Sequence, residues 1–302
     1  MISADLNYET ETRTNSLSPN PMKRNSPHLL TALLSVALLL AGNLNIQAQK
    51  APQPLKVLLI TGGCCHAYAT QKEILKKGLE SRAHVVVDQV HSDDTSTNPP
   101  LAIYGNPDYA KGYDVIIHDE CAAKMADVDT IKDVLAPHRN GIPGVNLHCA
   151  MHSYRVGDHR TPSKSGTDES LGFDDLGIQS SGHGPKEPIV VSFTGKNHPI
   201  TKEMKDWATG PEELYNNVQV FKGAKGLATG YQHQPERKRR GETVPAQDAE
   251  AVVVWTNVYE GTRVFSTTLG HYDETVQDDR YLDLVTRGLL WSCKKLNNRY
   301  LK

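Results

Sequence analysis

Two regimes of hydrophobic patterning run along the chain. From residue 56 to about residue 152, short apolar runs alternate with segments of helical period. Residues 56–61 (KVLLIT) are mostly apolar, as in a parallel strand covered on both faces. Residues 70–81 put Ile74, Leu75 and Leu79 on one helical face. Strands are predicted at 84–90, 113–118 (YDVIIH) and 144–147, with a helix over 127–136 and a Pro/Gly/Asn-rich loop over 95–112. This βαβ alternation predicts an α/β domain built on a parallel sheet with right-handed crossovers. The second half is less regular. Residues 157–186 are polar and Gly-rich and read as a surface excursion. Strands are predicted at 189–193, 225–231, 251–255 and 262–268, the last two as a hairpin around Tyr259-Glu260-Gly261. An amphipathic helix over 276–291 carries Leu282, Val285, Leu289 and Leu290. There is no internal repeat, and a single domain from about 54 to 297 is expected.

The first 48 residues stand outside that pattern. Met22-Lys23-Arg24 opens a basic segment, residues 29–41 are an almost unbroken apolar run, and Ile46-Gln47-Ala48 offers a small-residue cleavage site. The run is shorter than the roughly 20 residues a membrane span needs. A signal peptide over 22–48, cleaved rather than kept as an anchor, is expected, with Met22 a candidate true start. Export to the periplasm or beyond follows, and with it an oxidising compartment. Five cysteines (Cys64, Cys65, Cys121, Cys149, Cys293) leave at least one thiol unpaired within the chain. The net charge of −2 gives no electrostatic reason to expect nucleic acid. The one basic run, Arg237-Lys238-Arg239-Arg240, reads as a solvated loop. No G-x-G-x-x-G loop or Walker lysine is present, so a tightly bound dinucleotide is not expected.

The candidate chemistry gathers after strands. In an open parallel sheet the loops following the strands share one edge, where ligands bind. His66 follows the first predicted strand, Asp119 and Glu120 the third, His148 and Cys149 the fourth, and His271 the strand ending at residue 268. Three chemistries fit such a rim. His66, His148, His183 and His271 are candidate ligands of a divalent metal such as zinc. His148 and His152 are spaced to share a helical face, but Cys149 stands where an HExxH motif has glutamate. Cys149 near a helix start is a candidate thiol nucleophile, although a turn with His148 at its tip points Cys149 inward. General acid–base catalysis by His148, His183 or His271 with Asp119 or Glu213 needs neither metal nor covalent intermediate.

Several motifs together carry a resemblance. They are KVLLITGG at 56–63, GVNLHCA at 144–150, SGHGP at 181–185, NHPIT at 197–201, EELY at 212–215 and GTRVFSTTLGH at 261–271. With them the chain resembles the ThuA-like (trehalose-utilisation) proteins of the class I glutamine amidotransferase-like superfamily. The resemblance implies a flavodoxin-like fold, an open, mostly parallel sheet with helices on both faces. It implies a role in carbohydrate metabolism, on a sugar or keto-sugar derivative, beside an oxidoreductase of the same pathway. His148 matches the histidine that the family carries where amidotransferases have their cysteine, so amidotransferase activity is not implied. His183, Glu213 and His271 match the family's Gly-His, its acidic residue before Leu-Tyr and its terminal histidine. Asn146 departs from the family's glycine-rich elbow. With His66, Tyr215 and Tyr272 it is assigned to substrate binding, and Tyr272 is suited to stack on a sugar face. Trp255 and His198 read as a core residue and a turn residue. A hydrolase, lyase or isomerase is expected. A non-catalytic sugar-binding protein and a hydrolase using Cys149 are the alternatives.

Overall fold

The computed structural model describes residues 51–302 apart from Arg240. The leader expected over residues 1–48 lies outside the described residues. Strand β1 (Leu55–Gly63) shows why its sequence is apolar almost throughout. Val57 and Leu59 enter one hydrophobic core, Leu58 and Ile60 the other, because successive side chains leave a strand on opposite faces. Helix α1 (Tyr68–Arg82) returns the chain to β2 (Val85–Ser92), and β3 (Val115–Cys121) joins the other side of β1. Helix α2 (Val128–Arg139) starts at Asp127, whose side chain accepts the Thr130 N–H at 2.8 Å. Such a cap contributes about 1 kcal/mol. Strand β4 (Gly144–Leu147) pairs in parallel with β3.

The excursion after β4 has structure of its own. A 3-10 turn over His148–His152 is followed by α3 (Leu171–Leu176), β5 (Ile178–Gln179), β6 (His183–Phe193) and β7 (Trp207–Tyr215). Next come β8 (Gln219–Val220), β9 (Lys225–Gln234), the small hairpin β10 (Arg237–Arg239) and β11 (Glu242–Val244), then β12 (Gln247–Tyr259) and β13 (Thr262–Thr267). Two helices close the chain, α4 (Asp273–Val276) and α5 (Asp279–Ser292).

Nine strands form one sheet in the order β2-β1-β3-β4-β13-β12-β9-β6-β7. From β2 to β13 every pairing is parallel, in the flavodoxin-like arrangement. Beyond β13 the chain turns back through the β12–β13 hairpin, and the remaining pairings are antiparallel. Helices α1 and α5 pack Leu75, Leu79, Leu282 and Leu289 on one face. Helix α2 covers the other with Ile131, Val134 and Leu135. Ala51–Lys302 form one compact unit. No helix among the described residues is long and apolar enough to cross a membrane.

Strand β3 runs further than its apolar stretch suggests. Asp119, Glu120 and Cys121 continue it and pair with Thr61, Gly62 and Gly63 of β1, rather than lying past its end. Glu120 therefore does not reach the rim. It sits beneath the sheet in a buried network, accepting from Tyr154 Oη at 2.6 Å and lying 2.8 Å from His118 Nδ1. Asn146 is turned the same way, its Nδ2 within 3.4 Å of Asp175 and 3.5 Å of Ser266.

Candidate active site

His148 stands at the junction of β4 and the 3-10 turn with φ of 39°, a conformation costly for any residue with a Cβ. The cost is offset by what the turn places. His148 Nδ1 donates to the Thr268 carbonyl beyond β13 at 2.6 Å, so the ring is held and Nε2 faces the site. There Nε2 lies 3.3 Å from His271 Nδ1, 3.3 Å from Tyr215 Oη and 3.6 Å from Glu213 Oε2. The same carboxylate oxygen lies 3.5 Å from His271 Nδ1 and 3.6 Å from His183 Nε2. His66, after β1, donates from Nδ1 to the His271 carbonyl at 3.2 Å and meets His148 and His271 edge-on.

Most of this cluster is sealed. The side chains of His148, His271 and Glu213 are 2%, 3% and 7% exposed, whereas His183 is 38% exposed. Burial alone would push the His148 pKa down, but Glu213 and Glu212 outweigh it and raise it. Burial would raise Glu213, yet His148 and His271 hold it well below the usual carboxylate range. His66 is driven down to about 2 by burial and by the charges of His148 and His271, so it is a neutral imidazole. His148 and Glu213 thus form a buried ion pair, with a neutral histidine on one side and a solvent-facing one on the other.

Residues not singled out from the sequence hold this arrangement. Glu212 Oε1 accepts the N–H groups of Gly270 and His271 at 3.2 and 3.0 Å, tying the loop after β13 to β7. Gln71 Nε2 donates to the His271 carbonyl at 3.2 Å. Lys186 Nζ lies 3.9 Å from Glu213 Oε1 and 5.3 Å from the centre of the Tyr272 ring. The adjacent acidic residues of EELY were the available signal for Glu212. For Gln71, inside a helix, there was none.

A model of the trehalose-utilisation family, ThuA, matches residues 56–292, nearly the whole described chain. The chain belongs to the ThuA family. No curated protein matches it significantly. Among solved structures it is similar to a ThuA-like protein from Parabacteroides merdae, at 19% identity and TM-score 0.56, over 80% of this chain and 90% of that one. It is likewise similar to a ThuA-like protein from Bacteroides uniformis, at 18% identity and TM-score 0.53, over 80% and 92%. At these identities the likeness concerns the fold.

His148, His183, Glu213 and His271, expected at the site from the sequence motifs, meet around the Glu213 carboxylate, with His66, Tyr215 and Tyr272 around them. Tyr215 stacks face to face on His152, centroids 4.1 Å apart. Tyr272 packs edge-on against His271 and remains 37% exposed at the mouth. His152 does not join His148. A 3-10 turn has about three residues per turn, so positions four apart diverge, and His152 Nε2 bonds Ser180 Oγ at 3.0 Å. Asp119 is buried below the rim beside Thr61, with Oδ2 unpartnered, and burial together with Glu120 raises its pKa well above the usual range. It makes no polar contact with the histidines, as the extension of β3 dictates. Asn146, bonded beneath the sheet, likewise stays out of the histidine cluster. Trp255 is fully buried and donates to the Leu176 carbonyl, and the His198 carbonyl caps a turn at Thr201.

The cysteines lie close by. Cys64 and Cys65 form a vicinal disulfide, with Cys64 Sγ 3.5 Å from Cys121 Sγ. Cys149 is buried, and its contact with Cys121 together with burial pushes its thiol well up, the opposite of a nucleophile's need. Cys293 is half-buried at the end of α5.

The histidines also suit a metal. His66, His148 and His271 each offer one donor atom, all within 4.8 Å of one another, and His183 and Glu213 fall outside that group. Tetrahedral zinc with bonds of about 2.0–2.1 Å sets its donors roughly 3.3–3.4 Å apart. The His148–His271 separation of 3.3 Å and the Glu213 separations of 3.5 and 3.6 Å match that edge. His66 and His148 donate their Nδ1 protons to carbonyls, the outer-shell bond typical of metal-binding histidine.

Two open clefts flank the cluster. One, of about 560 Å³, is lined by His66, Lys186, His271 and Tyr272. The other, of about 520 Å³, is lined by His183, Tyr215, Asn216 and residues of β9 to β12.

Proposed function

We propose that this chain is an exported enzyme of carbohydrate metabolism acting on a sugar or keto-sugar derivative by proton transfer at the His148–His183–Glu213–His271 cluster. The carrying observation is that one carboxylate oxygen, Glu213 Oε2, lies 3.5–3.6 Å from a ring nitrogen of three histidines. Family membership supports the carbohydrate class, and the basic-apolar-small pattern of residues 22–48 supports export. His183 is the member that reaches solvent. Its Nδ1 donates to the Gly184 carbonyl, which leaves Nε2 to exchange a proton with a bound sugar. Glu213 orients that ring and holds the compensating charge, and buried His148 and His271 fix the carboxylate. Tyr272 offers an aromatic face and Lys186 a donor to sugar oxygens. A hydrolase, lyase or isomerase step on a sugar made more acidic by an adjacent carbonyl fits such a site, and an oxidoreductase is the class of partner that supplies that carbonyl.

The spacing of His66, His148 and His271 favours a second form of the same site, in which these three hold a divalent ion such as zinc, with Glu213 beside His148 and His271. Bound there, the ion supplies Lewis-acid polarisation of a sugar oxygen. The test is turnover of sugars and their keto derivatives followed by NMR, on protein analysed for metal before and after chelation. His183→Ala is expected to abolish turnover in either form. Activity that survives chelation and metal depletion removes the metal form. Unchanged turnover in both His183→Ala and Glu213→Gln removes the proposal. Sugar binding without turnover by any form makes the chain a non-catalytic binding protein.

A further inference from the structure

The described part of the basic run, Arg237–Arg239, is a strand rather than a loop. Residues Arg237–Arg239 form strand β10, paired with β11, and this hairpin leans over the cleft on the His183 side of the site. Arg237, Arg239 and Arg160, the last from the excursion after β4, all line that cleft. Glu250 is the one acidic residue of that lining, and none of the three arginines is in an ion pair among the described residues. Exposed arginines without partners are ordinary. Arg160 and Arg239 are exposed in this way, but two donors of the same lining are buried and unmet. Arg237 Nη1 is sealed from solvent without a hydrogen-bond partner. So is Asn217 Nδ2, in the same lining, whose Oδ1 is fixed by the Val252 N–H at 2.7 Å. Nearby, Arg155 has Nε and Nη1 in the same condition. Burial lowers the pKa of His152 and His159, and the Arg155 charge lowers both further.

Buried donors left unmet are costly, and guanidinium groups pair strongly with oxyanions, so the sealed Arg237 Nη1 and Asn217 Nδ2 beside two exposed arginines point to an anionic ligand. We propose that this cleft is an anion subsite, and that the sugar acted on carries a negatively charged oxygen group, a carboxylate or a phosphate or sulfate ester, held by Arg160, Arg237 and Arg239 while its ring reaches His183. This rests on the sugar reading above and narrows it. Asn217 and Asn216 supply the remaining donors for such a group or for hydroxyls beside it.

Calorimetric titration with glucuronate, glucose 6-phosphate, glucose 6-sulfate, glucose and inorganic phosphate tests it. At least one anionic sugar is expected to bind about tenfold or more tightly than glucose. That advantage is expected to shrink with added salt, to vanish in the Arg237→Gln/Arg239→Gln double variant and to survive in part in Arg237→Lys/Arg239→Lys. The ester or carboxylate that binds best identifies the source of the charge. Anionic sugars binding no better than glucose overturn the anion subsite and leave the sugar reading standing. Arginine-dependent binding of inorganic phosphate, with no sugar bound, keeps the subsite and overturns the sugar reading. Binding of none of these probes overturns both. The salt series on the unmodified protein separates these outcomes even if the variants fold poorly.

Discussion

His148 Nδ1 donates to the Thr268 carbonyl at 2.6 Å, and that single bond locks the elbow after β4 to the end of β13. It also decides which ring nitrogen meets Glu213. Removing the ring should therefore cost both activity and stability. His148→Ala is expected to lower kcat/KM by about 10²-fold or more, because it frees the Glu213 carboxylate that orients His183. Cys149→Ala, one residue on, should leave kcat/KM within about threefold, because a buried thiol held neutral contributes no nucleophile. Parallel assays of the two variants check this. A Cys149→Ala enzyme as inactive as His148→Ala would return the chemistry to the thiol.

The Glu213–His148 pair should give stability a distinct pH window. Glu213 is held below its ordinary 4.5, so its contribution is complete above that pH and is lost as pH falls toward the lowered value. His148 is raised above its ordinary 6.5, so its contribution is complete below 6.5 and is lost as pH rises through the raised value. Between 4.5 and 6.5 both are in force. In chelated protein, Glu213→Gln should cost about 1–3 kcal/mol there, or roughly 2–12 °C in Tm. The deficit should narrow above neutrality. Thermal melts from pH 4.5 to 9 measure it, and a deficit flat across that range would contradict the ion pair.

The parallel half of the sheet was legible in the sequence because strands covered on both faces must be apolar almost throughout, as in β1 and β4. The antiparallel edge was not. Strand β7 reads WATGPEELY, and its Gly210-Pro211 pair looks like a turn. Pro211 is tolerated because β7 is an edge strand, where it faces Pro188 of β6 and no ladder bond is lost to another neighbour. Without β7 as a strand, nothing in periodicity brings Glu213 to His148, and only the family resemblance did so. Asp119 and Glu120 were misplaced for the opposite reason, since polar residues at a strand's end look like a loop until a buried network accounts for them. The arginines of β10 escaped because charge runs usually belong to solvent, and only the tertiary structure brings this one back over a cleft.

Glu212 serves the site without touching substrate. Its Oε1 accepts two backbone N–H groups, from Gly270 and His271, and so sets where the His271 ring stands. A glutamine oxygen can accept the same pair, whereas alanine cannot. Glu212→Gln should keep most activity, and Glu212→Ala should lose about tenfold or more in kcat with a smaller change in KM, since the defect lies in placing His271. In the NMR spectrum the His271 ring signals should shift in Glu212→Ala and stay near their native positions in Glu212→Gln. Equal loss in both variants would point instead to the Glu212 charge.

The same loop makes a sharper demand at Gly270. Its φ of +121° is a region that side chains rarely adopt, and a Cβ there would lie 2.8 Å from Tyr281 Oη. Tyr281, on α5, is itself fully buried in the main core, so it cannot swing away. Gly270→Ala should therefore combine backbone strain with a steric clash, at a cost of about 2–4 kcal/mol, or roughly 4–16 °C in Tm. The two parts can be separated. Tyr281→Phe removes the hydroxyl but leaves the backbone torsion unchanged, so the Gly270→Ala/Tyr281→Phe double variant should recover part of the loss and no more. Activity should fall further than stability, because His271 follows directly and its ring lies 3.3 Å from His148 Nε2. A Gly270→Ala protein with native Tm and native turnover would show that the loop after β13 is not held in the conformation on which this site depends.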